Sequence, residues 1–143
     1  MNKSLATIAC ISAIGFGVSS ALADAPTSCS LATLHGTYAF AGVAEKAGVP
    51  HSSSGMEAYD GQGHSKYYEL WSDGYTQHKW VGTGTYTITA NCIATVIYDG
   101  DSTDVWTFFV APDGSGFYFN NNLGLGAVGA GQENRISRAL LIQ

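Results

Sequence analysis

Beyond residue 24, the chain is a succession of short runs rich in threonine, tyrosine, valine, isoleucine, phenylalanine and tryptophan, separated by glycine, aspartate and asparagine. Such runs between turn-forming residues predict β-strands, and no segment has the 3.6-residue hydrophobic period of an amphipathic helix. Strands are expected near Thr37–Gly42, Gly55–Tyr59, His64–Trp71, Gln77–Thr89, Cys92–Tyr98, Asp104–Val110, Phe117–Asn120 and Arg135–Leu141. The pattern predicts an all-β fold, a single eight-stranded antiparallel β-barrel, with a two-sheet sandwich as the alternative.

The alternation is clearest in the fourth run, Gln77–Thr89. Its threonines share one face, which we expect to lie outside the barrel. The other face carries Trp80, Gly82, Gly84 and Tyr86. Glycines on an inner face let a long strand coil sharply and leave room inside a barrel.

The turn Asp60–Gly63 indicates how the two runs around it pair. A symmetric hairpin places Glu57 opposite Lys66, as an exposed cross-strand ion pair. The opposite face, which we expect to be the interior, then carries Met56, Ala58, Tyr67, Glu69 and Trp71.

The run Val105–Val110 is apolar on both faces, which is unusual for a strand with one side in water. A partner subunit or the N-terminal segment is expected to cover its outer face, and the pattern favours a homo-oligomer. If the protein acts mainly through its surface, the stripe Trp106, Phe108 and Val110 is the candidate contact face.

The first 23 residues predict where the protein works. A positive start, an apolar run over Leu5–Val18 and the small residues before Asp24 are typical of a secretory signal peptide, with a retained membrane helix as the weaker alternative. Residues 1–23 are therefore assigned to a signal peptide and residues 24–143 to one β-barrel domain. The expected location is secreted or periplasmic, with no membrane span in the mature protein.

The cysteines agree with export. Cys10 lies in the predicted signal peptide, which leaves Cys29 and Cys92 for a disulfide in an oxidising compartment. Two buried free thiols are the alternative. A bond between them would hold the N-terminal segment over one end of the barrel.

Charge and motifs exclude several functions. With 6 basic and 11 acidic residues, the chain has a formal net charge of −5, so a nucleic-acid partner is not expected. The segment Gly124–Gly129 has the spacing of a dinucleotide fingerprint, but no helix follows it, and we interpret it as a glycine loop. The histidines lack the spacing of a compact metal site. No metal and no cofactor is predicted.

Glu69 is the candidate for chemistry. A carboxyl group between the rings of Tyr67 and Trp71 would be desolvated, and its raised pKa would suit a general acid or base. The alternative is a carboxylate at the barrel rim, in water or paired with Arg135 or Arg138.

Aromatic residues on the expected interior suggest a ligand site. An eight-stranded barrel has an interior that side chains can fill or that can hold one small ligand, and the inner glycines favour a cavity. The predicted ligand is a small hydrophobic or aromatic molecule. The residues expected to line its site are Tyr38, Tyr67, Trp71, Trp80 and Tyr86.

Three stretches carry a resemblance to a known family. They are Leu34–Phe40 (LHGTYAF), Tyr59–Gly63 (YDGQG) and Gly82–Ile88 (GTGTYTI) running into Asn91 and Cys92. Together they resemble small exported bacterial proteins whose fold is similar to the allene oxide cyclase barrel, itself akin to plant dirigent proteins. The resemblance implies an eight-stranded barrel, often oligomeric, that holds a hydrophobic small molecule in its mouth. It transfers no catalytic residue to this chain.

Three functions are therefore considered, in decreasing order of preference. The first is an exported barrel that binds a small hydrophobic or aromatic molecule. The second is a cofactor-free cyclase or isomerase of the allene oxide cyclase type, with Glu69 as acid or base. The third is a surface or interaction protein with a solid core.

Overall fold

A computed structural model describes residues 28–122 and 127–142. Within them the chain forms a closed antiparallel barrel in which each strand pairs with the next and the last pairs with the first. The strands are β1 (His35–Lys46), β2 (Val49–Asp60), β3 (His64–Ser72), β4 (Gln77–Ile88), β5 (Ile93–Tyr98), β6 (Val105–Val110), β7 (Gly116–Asn122) and β8 (Ala127–Ser137), after a 3₁₀ turn at Leu31–Thr33. This confirms the eight-stranded barrel and excludes the open sandwich.

The last strand differs most from its prediction. We expected it at Arg135–Leu141, but β8 begins at Ala127 and ends at Ser137, so the end of the predicted glycine loop belongs to a strand; residues 124–126 of that loop lie outside the described residues. Glycine and alanine have low strand propensity, so the sequence pattern here predicts no strand. In the barrel these small residues are required, because a side chain at Gly131 would collide with the ring of Phe119 and one at Gly129 would crowd the ring of Trp106.

The hairpin between β2 and β3 is shifted by one residue from the predicted register. The Asp60 carboxylate accepts hydrogen bonds from the backbone N–H groups of Gln62 and His64, at 2.7 and 3.0 Å. Gly61 and Gly63 take positive φ angles of 77° and 112°, which glycine adopts at no steric cost. Tyr59 pairs with Ser65 across this turn, so the number of residues between the two strands is odd.

The shift exchanges the two faces of β2. Glu57 pairs with Tyr67, and Lys66 pairs with Ala58. The predicted Glu57–Lys66 ion pair is therefore wrong: Glu57 is buried inside the barrel, while Met56 and Ala58 share the outer face with Lys66. The predicted inner face of β3, with Tyr67, Glu69 and Trp71, is correct.

One end of the barrel, which we call the closed end, is packed with rings. The rings of Phe108 and Phe117 stack at 4.4 Å, and Tyr59 meets Tyr38, Tyr86 and Phe117 edge-on. Such offset and edge-to-face contacts are the favoured geometries of aromatic pairs. Leu34, fully buried, completes this core.

The segment before β1 covers the closed end. Cys29 and Cys92 form a disulfide, which confirms the predicted pair. The backbone N–H of Cys29 also donates to the carbonyl of Ala90 at 3.2 Å, and the Tyr86 hydroxyl donates to the carbonyls of Leu31 and Leu34. The disulfide thus holds the N-terminal segment over one end of the barrel, as expected.

The face of β6 that was proposed for a surface contact points into the barrel. Phe108 and Val110 are buried, and Trp106 also points into the barrel. The stripe Trp106/Phe108/Val110 therefore cannot be an exposed contact face. On the outside, Phe109 lies between its strand partners Ile93 and Tyr118, and all three side chains are exposed. A partner subunit over this patch remains a prediction.

The predicted signal peptide, residues 1–23, lies outside the described residues. Export to a secreted or periplasmic location therefore stays a prediction, with which the disulfide is compatible. In residues 28–122 and 127–142 no helix has the length and apolar character needed to cross a membrane.

Candidate functional site

A cavity of about 90 Å³ lies inside the barrel beyond the aromatic core and opens toward the end opposite the disulfide. We call this the open end; it carries the loop between β3 and β4 and the loop between β5 and β6. Apolar rings and carboxyl groups make up most of the cavity wall. Its lining residues are Phe40, Ser53, Glu57, Tyr67, Glu69, Trp80, Tyr98, Asp104, Trp106, Phe108, Phe119 and Glu133.

The structure brings together three of the residues predicted for the site. Tyr67, Glu69 and Trp80 line the cavity from neighbouring strands β3 and β4. Trp71, one step nearer the open end, stacks on His78 with ring centroids 4.1 Å apart and is not part of the cavity wall. Ligand contacts by these residues remain a prediction.

Tyr38 and Tyr86, which were also predicted to line the site, belong to the closed end. The Tyr38 hydroxyl donates to the carbonyl of Gly114 at 2.7 Å, and the Tyr86 hydroxyl donates to the carbonyls of the covering segment. Both side chains are buried in the core. They join the barrel wall to the turns that close it.

The inner glycines of β4 make room for the protein's own polar groups. A side chain at Gly82 would collide with the Tyr67 hydroxyl and the Asp99 carboxylate, and one at Gly84 with Ser65. The Tyr67 hydroxyl donates to Asp99 Oδ2 at 2.7 Å, and Asp99 Oδ1 accepts from the backbone of Thr83. The space that we expected for a ligand is therefore occupied at this point of the wall.

Two carboxyl groups that the sequence did not suggest lie at the inner part of the cavity. Glu57 on β2 and Glu133 on β8 flank β1 on its two sides, and each is at most 3% exposed. The Tyr98 hydroxyl donates to Glu57 Oε2 at 2.8 Å. Glu57 Oε1 and Glu133 Oε2 are buried without a hydrogen-bond partner in the described part of the chain.

Burial governs the protonation of this pair. Desolvation raises the pKa of Glu57 to about 7, against the opposing effect of the nearby Ser65, Tyr98 and Tyr59 hydroxyls. Desolvation also raises the pKa of Glu133 well above its usual range, and the negative charge of Glu57 raises it further. No cation among the described side chains offsets either effect. Burial therefore favours the protonated form of both carboxyl groups.

Glu69 lies nearer the open end. Burial raises its pKa, Ser53 opposes this by a hydrogen bond, and the charge of Asp104 raises it further. The proposed pairing with an arginine is not found: Arg135 lies near the closed end and donates to the carbonyl of Asp113. The environment of Glu69 is thus the desolvated one expected from its position between rings.

The cavity as a whole is acidic. Of the side chains that the structure describes, four carboxyl groups line it, from Glu57, Glu69, Asp104 and Glu133, and no lysine, arginine or histidine does. Asp104 accepts a hydrogen bond from the indole N–H of Trp106 at 2.7 Å. In residues 28–122 and 127–142, no group of three or more His, Cys, Asp or Glu side chains is placed to hold a metal ion.

Glu57 could have been found from the sequence. Reading the turn after β2 as Asp60-Gly61-Gln62-Gly63-His64, with an aspartate that caps two later N–H groups, gives an odd loop and places Glu57 inside. Glu133 offers no such signal, because its strand lacks an alternating pattern.

Comparisons with protein-family models, curated proteins and solved structures gave no significant match to this chain. The resemblance to allene oxide cyclase-like proteins therefore rests on the three sequence stretches alone. Function has to be argued from the cavity and its walls.

Proposed function

We propose that this barrel binds a small molecule with an apolar or aromatic part in the cavity at its open end. The observation that carries the proposal is the contrast within the interior: rings fill the closed end, and a cavity walled by rings and carboxyls remains beyond them. A barrel of eight strands can be filled completely by side chains. Here the interior is not solid, which argues against the third function, and that hypothesis also loses its contact stripe.

The size of the cavity limits the ligand. A cavity of about 90 Å³ is smaller than the engineered cavity of about 150 Å³ that holds benzene. A group of a few heavy atoms would enter it, and the rest of a larger ligand would lie toward the mouth. Trp80, half exposed at the cavity wall, offers a ring for that part. Export and the family resemblance, both proposals, agree with a barrel that holds an apolar molecule in its mouth.

Two neighbouring serines allow a matched test. Ser53 lines the cavity, whereas Ser54 is exposed on the outer face of the same strand. With benzyl alcohol as the probe and titration followed by amide chemical shifts, Ser53→Phe should weaken binding at least tenfold and Ser54→Phe should leave it unchanged. Equal affinity in the two variants, or shifts confined to the outer face, would contradict the proposal.

A second candidate function is a cofactor-free isomerase or cyclase in the same cavity. It is favoured by the Glu57–Glu133 pair, because two buried carboxyls whose pKa values are raised to different extents offer one acid and one base at the same pH. Glu69 is the third candidate for acid–base work. The step required is the removal of a proton from one ligand atom and its return to another.

Native mass spectrometry of protein purified from its exporting host would identify a retained ligand for this test. That ligand is then incubated with the protein and its conversion followed by proton NMR. Glu57→Gln or Glu69→Gln should abolish conversion, and Glu69→Gln should keep the ligand affinity. An unchanged rate removes the substituted residue from the mechanism, and no conversion by the unmodified protein rejects the second candidate.

A further inference from the structure

The inner part of the cavity contains acceptors that the protein does not use. Glu133 Oε2 is buried and unpartnered among the described residues; Glu57 Oε1 makes no hydrogen bond of ordinary geometry there, although the Tyr59 and Ser65 hydroxyls lie near it, and both glutamates are part of the cavity wall. Buried polar groups in native proteins are nearly always hydrogen-bonded, and exceptions call for an explanation. A ligand that donates hydrogen bonds would supply the missing partners.

The surroundings select the charge of that ligand. Among the described lining residues the ionisable groups are carboxyls and tyrosine hydroxyls, which can form only anions, and Trp80, Trp106 and Phe119 supply ring faces beside the carboxyls. A carboxylate set among aromatic rings is the chemistry that recognises an organic cation, by ion pairing and by the attraction of the cation to the ring faces. An ammonium group is compact and has three donors, which suits two unpartnered acceptors in a small space.

We infer that the ligand is an organic amine whose ammonium group enters the inner part of the cavity and pairs with Glu57 and Glu133. This inference rests on the proposed function. Its apolar body lies toward the mouth, against Trp80 and Trp106. The interaction needs only two or three oxygen acceptors, so it does not depend on the ligand cluster that a metal ion requires.

Binding of an ammonium group changes the protonation of the pair. The groups that face it are Glu69 on β3, Asp104 after β5, the hydroxyls of Tyr59 and Ser65, and Tyr98 on β5. None of them is a cation. The ammonium therefore stabilises the carboxylate form, lowers the pKa of the pair and releases a proton to solvent, while the amine keeps its own proton.

Two probes of the same shape separate charge from shape. Benzylamine and benzyl alcohol differ at one heavy atom, and both are titrated calorimetrically at pH 7 in phosphate and in imidazole buffer. Benzylamine should bind at least tenfold more tightly, and its heat should depend on the buffer because a proton is released. In Glu133→Gln and in Glu57→Gln the preference for the amine and the proton release should both fall. Glu45→Gln, which removes an exposed carboxylate from the outer face of β1, should change neither.

The outcomes distinguish the two proposals. If benzyl alcohol binds as tightly as benzylamine and neither releases a proton, the amine inference is overturned and the binding function stands. The same holds if the preference for benzylamine survives in both glutamine variants. If neither probe binds to the unmodified protein, the proposed function fails for aromatic molecules of this size, and the inference fails with it.

Discussion

The two ends of this barrel differ in their packing and in the hydrogen bonding of their buried polar groups. At the closed end rings pack against rings, and the buried hydroxyls of Tyr38 and Tyr86 donate to backbone carbonyls. Toward the open end, carboxyl groups are buried beside a cavity, and two of their oxygens lack partners among the described residues. The closed end is thus tightly packed and its Tyr38 and Tyr86 hydroxyls are hydrogen-bonded, whereas buried carboxyl oxygens of the described residues remain unpartnered toward the open end.

Tyr59 marks the boundary between the two ends. Its ring is in edge contact with four rings of the core, while its hydroxyl lies beside the Glu57 carboxyl group. The strands run continuously through both regions, so the difference arises from the side chains and not from the backbone.

Truncating a ring should show the largest difference in stability between the two ends. Phe117→Ala at the closed end should lower the free energy of unfolding by about 3–5 kcal/mol, because a buried ring is replaced by a void. Trp80→Ala at the open end should lower it by less than about 1 kcal/mol, since half of that side chain is already in water. Urea unfolding followed by far-ultraviolet circular dichroism measures both. Similar losses in the two variants would mean that the ends do not differ in packing.

Removing the disulfide should also act on the closed end. Cys29 and Cys92 are separated by 63 positions, and closing a loop of that length stabilises a protein by roughly 4 kcal/mol in the chain-entropy model. The double variant Cys29→Ser/Cys92→Ser should lose about that much stability, measured by urea unfolding. Provided that it still folds, it should bind benzyl alcohol as before, and a parallel loss of binding would show that the closed end shapes the cavity.

The buried carboxyls should make stability depend on pH in an unusual direction. Because burial raises the pKa of Glu57 to about 7, the folded protein binds more protons than the unfolded chain between about pH 4.5 and pH 7. The free energy of unfolding is therefore highest at acid pH and falls as the pH rises through this range. Glu133, with its pKa also raised by burial, extends the fall to higher pH.

Unfolding in urea at pH 5, 6, 7 and 8 measures this slope. The variant Glu57→Gln/Glu133→Gln should flatten it and should be more stable than the unmodified protein at pH 8. The exposed aspartates 73, 101 and 113 do not interfere, because hydrogen bonds lower their pKa values and their effect falls at more acid pH. A stability that rises from pH 5 to pH 8 would contradict the buried pair.

Removing one tyrosine hydroxyl at each end should show the smallest difference in stability. Tyr38→Phe leaves the carbonyl of Gly114 without its donor in a buried place and should cost about 1 kcal/mol. Tyr67→Phe removes a hydrogen bond to Asp99, which is exposed and can bond to water instead, so its loss should be smaller. Thermal unfolding of both variants under one condition measures the order, and a reversed order would place the tighter polar contact at the open end.

The sequence by itself determined the class of the fold. Alternating apolar and polar positions between turn residues are a local property, so they predicted eight strands and the inner faces of β3 and β4. The disulfide Cys29–Cys92 was predicted because only two cysteines remain after the signal-like leader, and they can pair only with each other. Glu69, Tyr67 and Trp80 could be placed together because they lie on one hairpin.

Only the tertiary structure decided the site. One additional residue in the turn after Asp60 moves Glu57 from the surface to the interior, since side chains alternate with a period of two. β8 forms a strand because β1 and β7 pair with it and its small residues fit beside large rings. Glu57 and Glu133 come to flank β1 only because β8, from the far end of the chain, pairs with β1 on the side opposite β2. Whether a carboxyl is buried depends on what packs around it, and the local sequence does not contain that information.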